Sequence, residues 1–144
     1  MWATFNHSEF PIVSVKLRGK IKNNLDFYNF TTTWESYNLR GIPYVFVFDA
    51  REVGFVNIKY AIMMATFIKE LKRKEQFLQG SIIIVQSKYL RFLLSIIFKL
   101  QKPVADVYMT DLYSEVFIQK LYNNINGNLN MEFSNVTIVR KARS

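Results

Sequence analysis

The run Tyr44-Val-Phe-Val-Phe48 is apolar at every position. Side chains of a strand point alternately to its two faces, so such a run predicts a central strand covered on both. The segment that follows changes period. From Ile58 to Lys74, Ala61, Met64, Ile68 and Leu71 share one seam, while Lys59, Thr66, Glu70 and Arg73 lie opposite, which is helical spacing. Asn57 stands just before it, where its amide oxygen can accept from free backbone N–H groups. A doubly covered strand leading into an amphipathic helix predicts an α/β sandwich.

The rest of the chain repeats this grammar. Phe10 to Arg18 alternates apolar and polar residues as a half-buried strand does, and Gly19 ends it. Asn23 or Asn24 is expected to cap a first helix with the buried stripe Phe27, Phe30, Trp34 and Tyr37, which Gly41 and Pro43 terminate. Asp49 is expected to end the central strand and order a loop before Asn57. Ile82 to Val85 predicts a further central strand, and Lys88 to Leu100 a third helix burying Leu90, Leu93, Leu94 and Ile97. A strand from Val104 to Met109 follows, then a helix capped by Thr110 or Asp111 that carries Leu112, Val116, Ile118 and Leu121. Asn123 to Asn128 reads as a turn-rich stop, and Met131 to Val139 as one more strand. The order βαβαβαβα predicts a mixed, mainly parallel sheet of about four to five strands with about four helices. No repeat or linker divides the chain, so one domain is expected over 1–144, its core at about 10–122 with a C-terminal extension over 123–144.

Composition narrows the function classes. Without cysteine there is no disulfide, thiolate chemistry or cysteine metal site. Met1 to His7 lacks the basic start and apolar run of a signal peptide, and Ile82 to Leu100 is interrupted by Gln86, Ser87, Lys88, Arg91 and Lys99. Charges inside a bilayer span are costly, so a soluble, intracellular, cytoplasmic protein is expected, with a virion as the other location. The net charge of +8 comes from residues spread along the chain, with clusters only at Lys72-Arg-Lys74 and at Arg140, Lys141 and Arg143. Solubility accounts for that charge, but nucleic acid is a possible partner. Abundant Asn, Lys, Ile, Phe and Tyr suit an AT-rich coding sequence. Together these make a basic virion- or nucleic-acid-associated structural protein of a large DNA virus the second hypothesis.

Catalytic groups are sparse. His7 is the sole histidine, in a terminal segment expected to be mobile, where a base lacks rigid support. Asp49 and Asp111 each follow a strand and could converge at one sheet end with Glu52 and Asp106 nearby, although strand termination and helix capping explain both positions. The glycines are isolated, so no phosphate-binding loop exists. No catalytic residue, metal ligand or cofactor is assigned, and an enzyme is not expected.

Over roughly Phe10 to Tyr122 the pattern resembles the STAS domain of anti-sigma-factor antagonists and sulfate-transporter tails. The resemblance lies in Val13-Ser-Val-Lys-Leu-Arg-Gly19, in Phe46-Val-Phe-Asp49, and in Val53-Gly-Phe-Val-Asn57-Ile-Lys-Tyr60. It implies a STAS-like fold and a phosphorylatable serine at the start of the second helix. Lys59 stands at that position, with Ile58 before it and Tyr60 after, so the phospho-switch is absent and only the Asn57 cap persists. The surplus apolar residues Ile58 and Ile62 on one flank of the second helix, and Met63 and Phe67 on the other, join Tyr89, Phe92 and Ile96 of the third. They predict a surface for a protein partner or self-association beside Asn57, Ile58 and Lys59. A small apolar ligand or lipid between sheet and helices is the third possibility.

Overall fold

The computed structural model describes residues 2–127 and 136–141. The chain runs β1 (Ala3–Glu9), β2 (Ile12–Gly19), α1 (Asn24–Asn38), β3 (Tyr44–Val53), α2 (Ile58–Leu71), β4 (Leu78–Ile84), α3 (Lys88–Leu100), β5 (Val107–Thr110), α4 (Glu115–Gly127) and β6 (Val136–Val139). The α/β class is as expected. The sheet, however, is larger and more mixed than four to five mainly parallel strands. It has six strands in the order β1-β2-β3-β4-β5-β6, with β2 to β5 parallel and an antiparallel strand at each edge.

One edge strand, β6, lies within the strand expected over Met131 to Val139, whereas the other comes from a segment whose sequence signal is weak. Thr4-Phe-Asn-His-Ser-Glu9 has little apolar alternation, yet it pairs with β2 from Ala3↔Leu17 onward. His7 therefore lies within a strand and not in a mobile tail, and its Nδ1 is 2.8 Å from the Tyr37 hydroxyl. The β3 strand runs past Asp49 to Val53, because Glu52 and Val53 pair with Arg18 and Gly19. The last helix begins at Glu115 and not after Thr110 or Asp111. Ser114 Oγ accepts from the Phe117 N–H, the Thr110 hydroxyl accepts from the Leu112 N–H, and Leu112 lies outside the helix, exposed. The expected stop after Asn123 is helical through Gly127, and Asn128 and residues 131–135 fall outside the described residues.

Strands that follow one another in chain order, joined by right-handed crossovers, place successive helices on the same sheet face. The core shows this division. Phe46 and Phe48 of β3, Ile83 of β4 with Val85 just past it, and Val107 and Met109 of β5 share a cluster with Phe30, Trp34 and Tyr37 of α1 and Leu71 of α2. The alternate positions Val47, Ile82, Ile84 and Tyr108 cluster instead with Leu121 of α4. One face thus carries α1, α2 and α3, and the other carries α4. Gly80 permits that second layer, since a Cβ there would come 3.0 Å from Ile125 of α4.

Helix ends follow local chemistry. Asn23 Oδ1 accepts from the Asp26 N–H, Asn57 Oδ1 from the Lys59 N–H and Ser87 Oγ from the Leu90 N–H. Gly41, just past α1, has φ +68°, the left-handed region that favours glycine. The α1 stripe of Phe27, Phe30, Trp34 and Tyr37 is buried as its spacing predicts. Trp34 meets Phe46 edge-on at 4.8 Å and Phe67 of α2 at 5.6 Å, so aromatic rings join helix to sheet and helix to helix.

The three helices nevertheless leave a gap above the sheet. A cavity of about 140 Å³ is bordered by Trp34, Phe48, Ile68, Ile83, Leu93 and Val107, among others.

A second constraint joins α1 to the β4 approach. Buried Asn38 donates through Nδ2 to the Glu75 carbonyl at 2.8 Å and accepts at Oδ1 from the Phe77 N–H at 2.9 Å. Replacing it by alanine leaves two backbone groups without a partner. Asn38→Ala is expected to cost about 2 kcal/mol or more in urea unfolding. A loss under about 0.5 kcal/mol, the range of ordinary surface substitutions, would show that the bridge does not hold the two segments together.

Candidate interaction surface

The residues singled out around Asn57 divide between two flanks of α2. Tyr60 faces α1, with its ring 5.8 Å from Phe27 and its hydroxyl donating to Asn24 Oδ1 at 3.2 Å. Phe67 also faces α1, through Trp34. Met63 lies on the same helical stripe, three residues from Tyr60 and four from Phe67, and is half-buried against the core. It therefore does not join the α3 side. Ile58 and Ile62 lie on the opposite flank, toward α3, and both are exposed, Ile62 by 52%.

Across from them, α3 presents Tyr89, Phe92 and Ile96 along one stripe. Tyr89 is fixed from two directions: its hydroxyl donates to the Val56 carbonyl at 2.8 Å, and Phe55 stacks on its ring at 5.6 Å with 13° between planes. The Phe92 ring is 6.4 Å from that of Tyr89 and is 54% exposed. Ile96 is half-buried and joins the core between α2 and α3. The structure thus gathers Phe55, Ile58, Ile62, Tyr89 and Phe92 on the α2–α3 face, with Ile96 beneath. Phe55, 59% exposed, was not anticipated. Its signal is a large ring in the turn between Gly54 and the cap Asn57.

Lys59 lies at the helix start, its Nζ 5.0 Å over the Tyr60 ring. Further along the same two helices the surface becomes basic. Lys69 is near the end of α2 and Lys72 is its C-cap, while Lys99 is in the last turn of α3 and Lys102 lies just past it, close enough to Lys72 to repel it. Burial holds the Lys72 ammonium below its ordinary pKa, and repulsion from Lys102 adds to the effect. None of these four lysines forms an ion pair with a described carboxylate.

Asp49, Glu52 and Asp106 are each matched to cations. Asp49 lies within β3 and makes a two-pronged contact with Arg51, at 2.9 and 2.8 Å, and Arg51 lies 4.1 Å from the Tyr113 ring centre. Glu52 holds Lys16 at 3.1 Å and Arg18 at 3.2 Å. Asp106 precedes β5 whereas Asp111 follows it, so the two sit at opposite ends of that strand and do not converge. Asp106 accepts from Arg140 and from the Lys141 N–H, both at 2.9 Å, which pins the start of the basic tail. Arg143 lies outside the described residues. Among the described residues, no group of three or more His, Cys, Asp or Glu side chains could hold a metal ion. No helix among them is long and apolar enough to cross a membrane.

The Arg51 contact holds the Asp49 carboxyl below the ordinary aspartate range, first through its hydrogen bonds and against a smaller opposing effect of burial. A lowered folded-state pKa stabilises the fold above the ordinary value of about 3.9 and is lost as pH falls through the lowered one. Asp49→Asn is expected to cost about 1 kcal/mol at neutral pH, with the gap to the native chain closing as pH drops below that ordinary value. A pH-independent gap in denaturant melts would remove the ion pair as its cause.

No protein-family model matches the chain, and no curated protein or solved structure matches it either.

Proposed function

We propose that the chain is a non-enzymatic, STAS-like interaction domain that binds a protein partner through the α2–α3 face and carries no phospho-switch. The observation that supports this is the exposed cluster of Phe55, Ile58, Ile62, Tyr89 and Phe92, in which rings are held by stacking and by the Tyr89–Val56 hydrogen bond. Rigid aromatic groups on an accessible surface are what protein partners bury as hot spots. The STAS-like part rests on the βα order from β2 to α4 and on the Asn57-capped second helix, with Lys59 at the position of the family's serine.

The charges favour one kind of partner. Ile58 and Lys69 are eleven residues apart on α2, roughly 16 Å at about 1.5 Å per residue. A partner helix laid along this face meets apolar residues at one end and the four lysines at the other. An amphipathic segment with carboxylates near one end complements both. Self-association through this face brings two copies of a +8 chain together and is opposed by like charge. The nucleic-acid alternative draws less support, because Arg140 of the tail is already held by Asp106.

Titrating a set of amphipathic peptides that differ only in acidic content against the native chain and an Ile62→Asp/Phe92→Asp variant tests this. Acidic peptides are expected to bind the native chain and to lose at least tenfold, about 1.4 kcal/mol, on the variant. Because both side chains are exposed, thermal unfolding of the variant should be little changed. Equal peptide binding by the two proteins would count against the docking face. Dimerisation that the double substitution abolishes would replace the foreign partner with a second copy. Binding to duplex DNA that weakens steeply with salt would favour the nucleic-acid alternative.

A further inference from the structure

The cavity between the sheet and α1–α3 shares none of the residues of the docking face. Its wall is built from Trp34, Phe48, Ile68, Ile83 and Leu93 with further apolar residues from β2 to β5, and almost no polar surface reaches it. Its volume of about 140 Å³ is close to that of an engineered cavity of about 150 Å³, lined by Leu, Ile and Phe, that stays dry and takes up benzene. Water is a poor occupant, since a buried water needs two or more polar partners. An apolar occupant restores the dispersion contacts that the lining atoms lack across the gap.

Trp2 and Trp34 both border the cavity, but their indole nitrogens are shut away from it as they are from solvent, so the lining offers no hydrogen-bond partner. A polar group placed inside would be left unpaired. We propose that this cavity is a binding site for a compact, wholly apolar molecule, about one six-membered ring in size. The lining offers no charge, so a ligand with an ionised headgroup does not fit inside.

The chain contains two tryptophans and both line the site, which makes their fluorescence a direct reporter. Cyclohexanol and methylcyclohexane, nearly equal in shape, serve as probes. Methylcyclohexane is expected to give a saturable change in tryptophan emission and a matching rise in Tm, with several-fold weaker binding by cyclohexanol, whose hydroxyl finds no partner in the lining. Ala61 borders the cavity at 2% exposure, so Ala61→Leu should fill it, abolish the response and leave the chain folded. Met64→Phe, at a half-buried lining position, gives a second filled variant should the first not fold. The Ile62→Asp/Phe92→Asp variant should bind methylcyclohexane as the native chain does, which keeps this site separate from the docking face. No saturable response of the native chain to either probe, or an undiminished response in a folded, filled variant, would overturn the proposal. Tighter binding of cyclohexanol than of methylcyclohexane would overturn the wholly apolar site.

Discussion

The handedness of the strand–helix–strand crossover governs this molecule. With β2 to β5 side by side in chain order, each right-handed connection must return over the same face, and α1, α2 and α3 line up there in sequence. Only the switch to an antiparallel final strand lets α4 cross to the other side. A single topological rule therefore decides which side chains of every strand meet three helices and which meet one. It also explains the composition of the two faces. Where α4 does not reach, the sheet displays Ser14, Lys16, Arg18 and Arg51, held by ion pairs at Glu52 and Asp49.

Three helices side by side over a twisted sheet are difficult to seat evenly. Here the large rings of Phe30, Trp34, Phe46, Phe48 and Phe67 interlock at close range and hold α1 and α2 to β3. Rings that meet edge to face have fixed shapes and few rotamers, so they cannot spread to fill space elsewhere. Aliphatic residues of α2, α3, β4 and β5 border what is left. Interiors normally pack as densely as organic crystals, and a gap the size of a ring is a departure from that norm. The same aromatic stiffness that fixes α1 thus leaves the hollow beneath its neighbours.

Much of this was legible in the sequence because periodicity reports burial. Tyr44 to Phe48, the α1 stripe and the α3 limits at Lys88 and Leu100 follow from spacing alone, and Asn57 from the need of a helix start for an acceptor. The misses have a common origin. The strand β1 and the second half of β3 owe their existence to partner strands rather than to their own pattern: apart from Phe5 and Ala50, Thr4 to Glu9 and Asp49 to Glu52 are polar or charged, and pairing with β2 overrides them. The final helix start was misplaced because Thr110 and Ser114 both offer plausible hydroxyls within a few residues. The cavity left no trace in the sequence, since a void is a property of three-dimensional fit. For the candidate surface, helical spacing already set Met63 on the flank of α2 opposite Ile58 and Ile62; it was grouped with them as a surplus apolar residue, and the position of α1 shows why it is half-buried instead.

The continuation of β3 to Val53 shapes the candidate surface most directly. Had the strand ended at Asp49, a longer loop would have led to Asn57, as in the family pattern that the sequence resembles. Pairing of Val53 with Gly19 and the Gly54–Gly19 backbone bond at 2.8 Å instead leave only Gly54, Phe55 and Val56 before the cap. So short a connection places the Phe55 ring on Tyr89 and the Val56 carbonyl within reach of the Tyr89 hydroxyl. The start of α2 is thereby bordered by aromatic rings and carries no acid in its first turn, whereas its end carries Lys69 and Lys72. Cations suit a helix C-terminus and anions its N-terminus, so α2 is electrostatically complemented at only one of its ends. The aromatic border at its start follows from one strand running four residues past Asp49, to Val53, and the basic end follows from Lys69 and Lys72.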